Sequence, residues 1–114
     1  MAISPEAQRE HDALFPNHKS TLRVTDPEFI ELFDNWAFGE VPRHGVLDVK
    51  TRLMLQLAAL IACQSVNEYR VMMGGALNVG VTPVEIKEIV YQAVPYVGLA
   101  KVFDFLNAFA CLAR

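Results

Sequence analysis

Apolar residues recur along this chain at helical rather than strand spacing. Phe29, Phe33, Trp36 and Ala37 fall three to four residues apart, the period that lines one face of a helix. Thr25-Asp26-Pro27-Glu28 supplies the start of that helix: a capping residue, an early proline and a glutamate placed to reach back. Ser65-Val66-Asn67-Glu68 and Thr82-Pro83-Val84-Glu85 are two further capping boxes. The first opens a helix expected to end at Gly80. The second opens one whose stripe is Ile86, Ile89, Val90 and Ala93, and which Pro95 ends or kinks. Residues 49–63, capped by Asp48, are apolar almost all round, which predicts the central and most buried element. Residues 4–15 predict an N-terminal helix, Pro16 to Ser20 a loop, and residues 39–47 a second loop, because Gly39, Pro42 and Gly45 break the pattern. The last helix, 97–112, carries two apolar stripes. Leu99, Val102, Phe103, Leu106 and Ala110 form one; Phe105, Ala108 and Leu112 form the other. A small domain cannot cover both, so part of this surface is expected to meet another subunit. The expectation is an all-α domain of five to six helices over residues 1–114, with no strand of consequence.

Composition narrows the function classes. Of the 114 residues 53% are hydrophobic, so a core can form without disulfide or metal staples. The net charge of −3 and the lack of a dense Lys/Arg run argue against nucleic acid as the partner. The longest apolar stretch, Leu53 to Cys63, is interrupted by Gln56 and is too short to cross a bilayer. Met1 to Asp12 is polar and lacks the apolar core of a signal peptide. Cys63 and Cys111 make neither a disulfide framework nor a Cys-x-x-Cys motif, so a reducing cytoplasm is the expected compartment.

Candidate chemistry sits at a few polar positions. Arg52, Gln56 and Cys63 share one face of the central apolar helix. A guanidinium there needs either a structural carboxylate partner or an anionic ligand. Glu40, Arg43 and His44 cluster in the 39–47 segment and offer a carboxylate, a cation and a group that titrates near neutrality; the competing reading is a solvated loop. Glu68 is either the reciprocal partner of the Ser65 cap or a general acid/base. Gln92 and Tyr96, with Tyr91, bracket Pro95 and either line a pocket or pack at an interface. Met72 and Met73 read as core filler. Cys63, at a helix C-terminus that disfavours a thiolate, reads as core packing. No metal-ligand cluster or phosphate-binding glycine loop occurs in the sequence, so neither a metal nor a cofactor is expected.

Several stretches together resemble the carboxymuconolactone decarboxylase family, within the AhpD-like superfamily. They are Leu57-Ala58-Ala59-Leu60, Gly75-Ala76-Leu77-Asn78-Val79-Gly80-Val81-Thr82, Glu85-Ile86-Lys87-Glu88-Ile89 and Gln92-Ala93-Val94-Pro95-Tyr96-Val97-Gly98. Trp36 to Val41 and Leu47 to Arg52 fit as well, so the likeness covers roughly residues 25–112. The resemblance implies an AhpD-like helical fold, a homo-oligomer (trimer or hexamer) whose interfaces help to form the sites, and a small-molecule substrate. In the related peroxidases a Cys-x-x-Cys and a histidine four residues later carry the chemistry. Ser65, Glu68 and Met72 stand at those positions here, which argues against dithiol peroxidase activity. The decarboxylase branch has no dithiol but usually keeps the histidine. The resulting expectation is a lyase acting on a small lactone or carboxylate. Glu40, Glu68 and His44 are its candidate acid/base groups, and Arg43, Arg52, Gln56, Met72, Gln92 and Tyr96 its candidate substrate contacts. Two alternatives accompany it: a redox protein using Cys63 alone, and a non-catalytic oligomeric binding module.

Overall fold

A computed structural model describes residues 2–113, with side chains as far as Cys111; Leu112, placed on the second apolar stripe, has its side chain outside the described set. The regular structure among the described residues is all helix, with no strand, as the hydrophobic spacing predicts. They fall into two compact units, one running to Val49 and the other beginning at Lys50.

In the first unit, α1 (Pro5–Leu14) starts where the Ser4 hydroxyl accepts the Ala7 N–H at 3.1 Å, with Pro5 in the first turn. It buries Ala7, His11 and Leu14, a stripe of i, i+4 and i+7. A short α2 (Leu22–Thr25) leads to α3 (Pro27–Asp34). The chain then stays helical through a π segment, Asn35–Glu40, and α4 (Val41–Arg43). This corrects the expected 39–47 loop, because the irregular stretch begins only after Arg43. Gly39 is a packing glycine: it is buried, and a Cβ there would lie 3.4 Å from the Ala7 Cβ on α1. Pro42 follows directly on the widened π turns. A proline has no N–H and its ring crowds the carbonyl four residues back, so a π segment is a place where a helix accommodates one. The rod from Pro27 to Arg43 buries Ile30, Asp34 and Gly39. Its aromatic stripe of Phe29, Phe33 and Trp36 is turned outward.

In the second unit, α5 (Val49–Ala62) buries only Leu53, Leu57 and Ile61, while Leu55 is 55% exposed. The expectation of an all-round buried central helix is therefore corrected to a one-stripe helix. It ends in a left-handed turn at Gln64 (φ 62), where the Ser65 N–H donates to Leu60 O at 3.0 Å and the Gln64 N–H to Ile61 O at 3.1 Å. Helix α6 (Val66–Asn78) ends the same way around Gly80 (φ 100), with the Val81 N–H on Ala76 O at 3.0 Å and the Gly80 N–H on Leu77 O at 3.2 Å.

Helix α7 (Pro83–Val97) opens on the expected capping box. The Thr82 hydroxyl accepts the Glu85 N–H at 3.1 Å, and the Glu85 carboxylate accepts the Thr82 N–H at 2.9 Å. Lys50 lies 3.0 Å from the same carboxylate and ties the start of α5 to the start of α7. These donors and the Lys50 charge, led by the Thr82 N–H, hold the Glu85 carboxyl below the usual carboxylate range. The helix continues through Pro95 and stops at Gly98 (φ 105).

Helix α8 (Leu99–Ala113) packs against α6 and α7. It buries Val102, Phe105 and Ala108, while Leu99 and Phe103 stay exposed. Phe105 meets Tyr69 of α6 edge to face at 5.0 Å. Phe105 and Ala108 of the second stripe are thus intrachain core together with Val102 of the first, and Leu99 and Phe103 of the first remain at the surface.

Candidate functional site

The rod of α3, the π segment and α4 builds the clearest site. Phe29, Leu32, Phe33, Asn35, Trp36 and Glu40 line a groove of about 580 Å³ on its outer side. The Phe29 and Phe33 rings stack at 6.1 Å and 12°. Asn35 brings an amide to the groove, but that amide is engaged elsewhere: its Oδ1 accepts the Ser4 N–H at 2.7 Å and its Nδ2 donates to Ala2 O at 3.1 Å. Glu40 therefore brings a carboxylate to a lining that is otherwise aromatic and aliphatic. Arg43 and His44 follow three and four residues later, Arg43 as the last residue of α4 and His44 just past it. The Nε of Arg43 donates to Gly39 O at 2.9 Å, which holds the guanidinium back over Gly39, 3.9 Å from where a Cβ there would lie. Of the sequence-predicted trio, Glu40 lines the groove, Arg43 lies on α4 and His44 is the C-cap of that helix.

Behind this face lies a feature that the sequence reading missed. His11 of α1 and Asp34 of α3 are both buried, at 6% and 4% exposure. The His11 ring packs edge-on against Phe38 at 5.3 Å and stacks on His18 at 5.9 Å; its Nδ1 lies 3.1 Å from an Asp12 oxygen. Burial pushes the Asp34 carboxyl above its ordinary range, against the opposing pull of His11 and Arg23. The signal available in the sequence was a lone aspartate directly following Phe33, on the face that Ile30 opens.

The candidates of the second unit form same-helix pairs. Arg52 and Gln56 share a half-buried face of α5. On α6, exposed Glu68 stands one turn before half-buried Met72. On α7, Gln92 and Tyr96 are one turn apart and exposed. The Ser65 capping box is corrected, since Ser65 makes no side-chain cap. The Ser65 N–H that Glu68 would reach back to is already bonded to Leu60 O, so capping does not account for Glu68. Cys63 is exposed, with its sulfur 3.2 Å from the Ser65 hydroxyl and 3.6 Å from Leu60 O, which corrects its assignment to the core. Cys111 is exposed and free as well. Among the described residues no three His, Cys, Asp or Glu side chains are grouped to hold a metal ion, and no helix is long and apolar enough to cross a membrane.

Comparison with known proteins agrees with the residues that carry the likeness. Nitrosuccinic acid decarboxylase npaB of Metarhizium robertsii is 40% identical over 68 residues, which is 60% of this chain and 48% of that protein. This chain therefore spans about half the length of that relative. The sequence model of the carboxymuconolactone decarboxylase family matches residues 27–110, from the first residue of α3 to the last turn of α8. On that match, with the all-helical fold, the chain belongs to the carboxymuconolactone decarboxylase family.

Proposed function

We propose that this protein releases carbon dioxide from a small carboxylic acid or lactone acid by general acid/base chemistry in the groove that holds Glu40. One observation supports the reading: a carboxylate, Glu40, lines an apolar groove, and the Arg43 guanidinium is held on the carbonyl of the preceding residue, Gly39. Decarboxylation breaks the bond between the carboxylate carbon and its neighbour. The bonding pair moves into an adjacent electron-withdrawing group such as a carbonyl, lactone or nitro group, and carbon dioxide leaves. Glu40 in its acid form gives its proton to the carbon left behind and takes one back from water, with His44 one turn away as the relay. Arg43 holds the carboxylate through charge-assisted hydrogen bonds. The nitrosuccinic acid named for the relative has both parts, a carboxylate and a nitro group, on one small molecule. Glu68, exposed and not used in a cap, is the competing acid. Arg52, Gln56, Met72, Gln92 and Tyr96 stand as the second unit's candidate substrate contacts. The working form we propose is a homo-oligomer.

The test is carbon dioxide release from nitrosuccinic acid and a panel of small lactone acids. Wild-type protein turns over at least one of them. Arg43→Ala raises KM for that substrate by about tenfold or more while the protein stays folded, as loss of a carboxylate anchor requires. No carbon dioxide from any member of the panel contradicts the proposal.

A further inference from the structure

Resting on the reading of Glu40 as the acid of the groove, we infer that Asn35 is a positioning residue: by tying the π segment to the start of α1 it holds the helical register that turns Glu40 into the groove. The register changes within the rod. The Asn35 N–H still bonds to Glu31 O, four residues back, whereas the Val41 N–H reaches Trp36 O, five back. Residues five apart on an α-helix point about 140° away from each other, and a turn closed five residues back brings them round to the same side. Two pairs with that spacing share a side here. Asp34 and Gly39 are both buried, and Asn35 and Glu40 both line the groove. Relaxation to the α register would part both pairs and swing Glu40 around the rod. π turns are rare, so six residues of them need a tertiary reason. Contacts to α1 and the residues before it supply one at both ends of the segment. At its first residue, Asn35 Oδ1 accepts the Ser4 N–H at 2.7 Å and Nδ2 donates to Ala2 O at 3.1 Å. Near its last, buried Gly39 faces Ala7, where an added Cβ would lie 3.4 Å from the Ala7 Cβ and 3.8 Å from the Ser4 Oγ. The Asn35 amide is committed to the backbone of Ala2 and Ser4, so it acts on the chemistry through Glu40.

The register is read directly by NMR, from the coupling across the hydrogen bond between the Val41 nitrogen and the Trp36 carbonyl carbon. Wild type should show it. Asn35→Leu, close in size but unable to bond Ala2 or Ser4, should lose it and show Val41 bonded to Ala37 instead, with helix content by circular dichroism unchanged. On nitrosuccinic acid, or on the panel member that is turned over, kcat should then fall about tenfold or more with KM within about threefold, because a displaced acid slows protonation without spoiling the groove. In a Glu40→Gln background Asn35→Leu should add no further loss, since it acts through the group already removed. Gly39 supplies the second route if Asn35→Leu does not fold. Gly39→Val should lose the coupling and the rate, and Gly39→Ala, whose Cβ meets Ala7 at ordinary contact distance, should keep both. A Val41–Trp36 coupling that persists in Asn35→Leu, kcat unchanged once the coupling is lost, or a rise in KM alone overturns the inference. So does a further loss on top of Glu40→Gln. The two readings fail separately. If Glu40→Gln leaves carbon dioxide release intact, the acid role of Glu40 falls, and the coupling alone decides whether Asn35 holds the register. If Glu40→Gln abolishes release while Asn35→Leu keeps both coupling and rate, the positioning role falls and the acid role stands.

Discussion

Tyr69 and Asp34 show how far single residues depart from what their letters suggest. Tyr69 is fully buried against Phe105, and its hydroxyl has no hydrogen-bond partner among the described residues. Burial pushes the phenol up to about 12, so the hydroxyl stays a neutral donor with no acceptor among the described residues. Removing an unsatisfied buried hydroxyl relieves its desolvation cost, on the order of 1 kcal/mol or more. Tyr69→Phe should therefore raise the denaturant midpoint; a drop of similar size would show that the hydroxyl is bonded. Asp34 makes a pH prediction. Its carboxyl is raised in the folded protein, so the native state binds the proton more tightly than the unfolded chain. Stability then falls as pH climbs from about 4 through the raised value, and the loss is complete above it. Asp34→Asn should melt higher than wild type at pH 7, with the gap closing below pH ~4. A variant that melts lower at pH 7 would mean that Asp34 is held by partners strong enough to offset its burial. Neither residue was legible in the sequence, because burial of one aspartate or one hydroxyl depends on which face a helix turns inward. Glu40, Arg43 and His44 read as a group because they are neighbours in sequence, and of the three Glu40 lines the groove.

The elements divide by whether their signals are local. The α7 start was readable, since Thr82, Pro83 and Glu85 each act within one turn. The α6 end was readable within two residues, because Gly80 takes the left-handed position at φ 100. The α5 end was read to within one residue, 63 against Ala62, although Gln64 takes the left-handed position at φ 62 and no sequence rule marks a glutamine for that role. The Ser65 box was misread on account of that turn: its four letters are right, but the α5 cap already uses the Ser65 N–H. Residues 39–47 read as loop because Gly39 and Pro42 break ordinary helices, whereas here one packs on Ala7 and the other follows widened turns. These differences predict opposite outcomes for similar substitutions. Thr82→Ala should cost about 1 kcal/mol in chemical denaturation, and Ser65→Ala only a few tenths. Gln64→Gly should stabilise, since glycine meets no Cβ penalty in the left-handed region. Equal losses for Thr82→Ala and Ser65→Ala would contradict the assignment of caps.

For the whole molecule, the fold class followed from hydrophobic period and punctuation, while the side presented to a partner did not. The last helix has the two apolar stripes its sequence shows, yet Phe105 lies inside and Leu99 and Phe103 outside. On the proposal of a homo-oligomer, light scattering should show one closed assembly at micromolar concentration. Phe103→Glu should weaken that assembly by placing a charge in the interface. Phe105→Glu should instead unfold the chain, because it buries the charge against Tyr69. A wild-type monomer would contradict the proposal. The central claim is narrower: the proton that replaces carbon dioxide comes from Glu40. The measurement that tests it most directly is kcat of Glu40→Gln and of Glu68→Gln on one verified substrate, with folding checked by circular dichroism. The account predicts a fall of about a hundredfold or more for Glu40→Gln and a near wild-type value for Glu68→Gln. Unchanged turnover in Glu40→Gln, or a loss confined to Glu68→Gln, would contradict it and move the chemistry to α6.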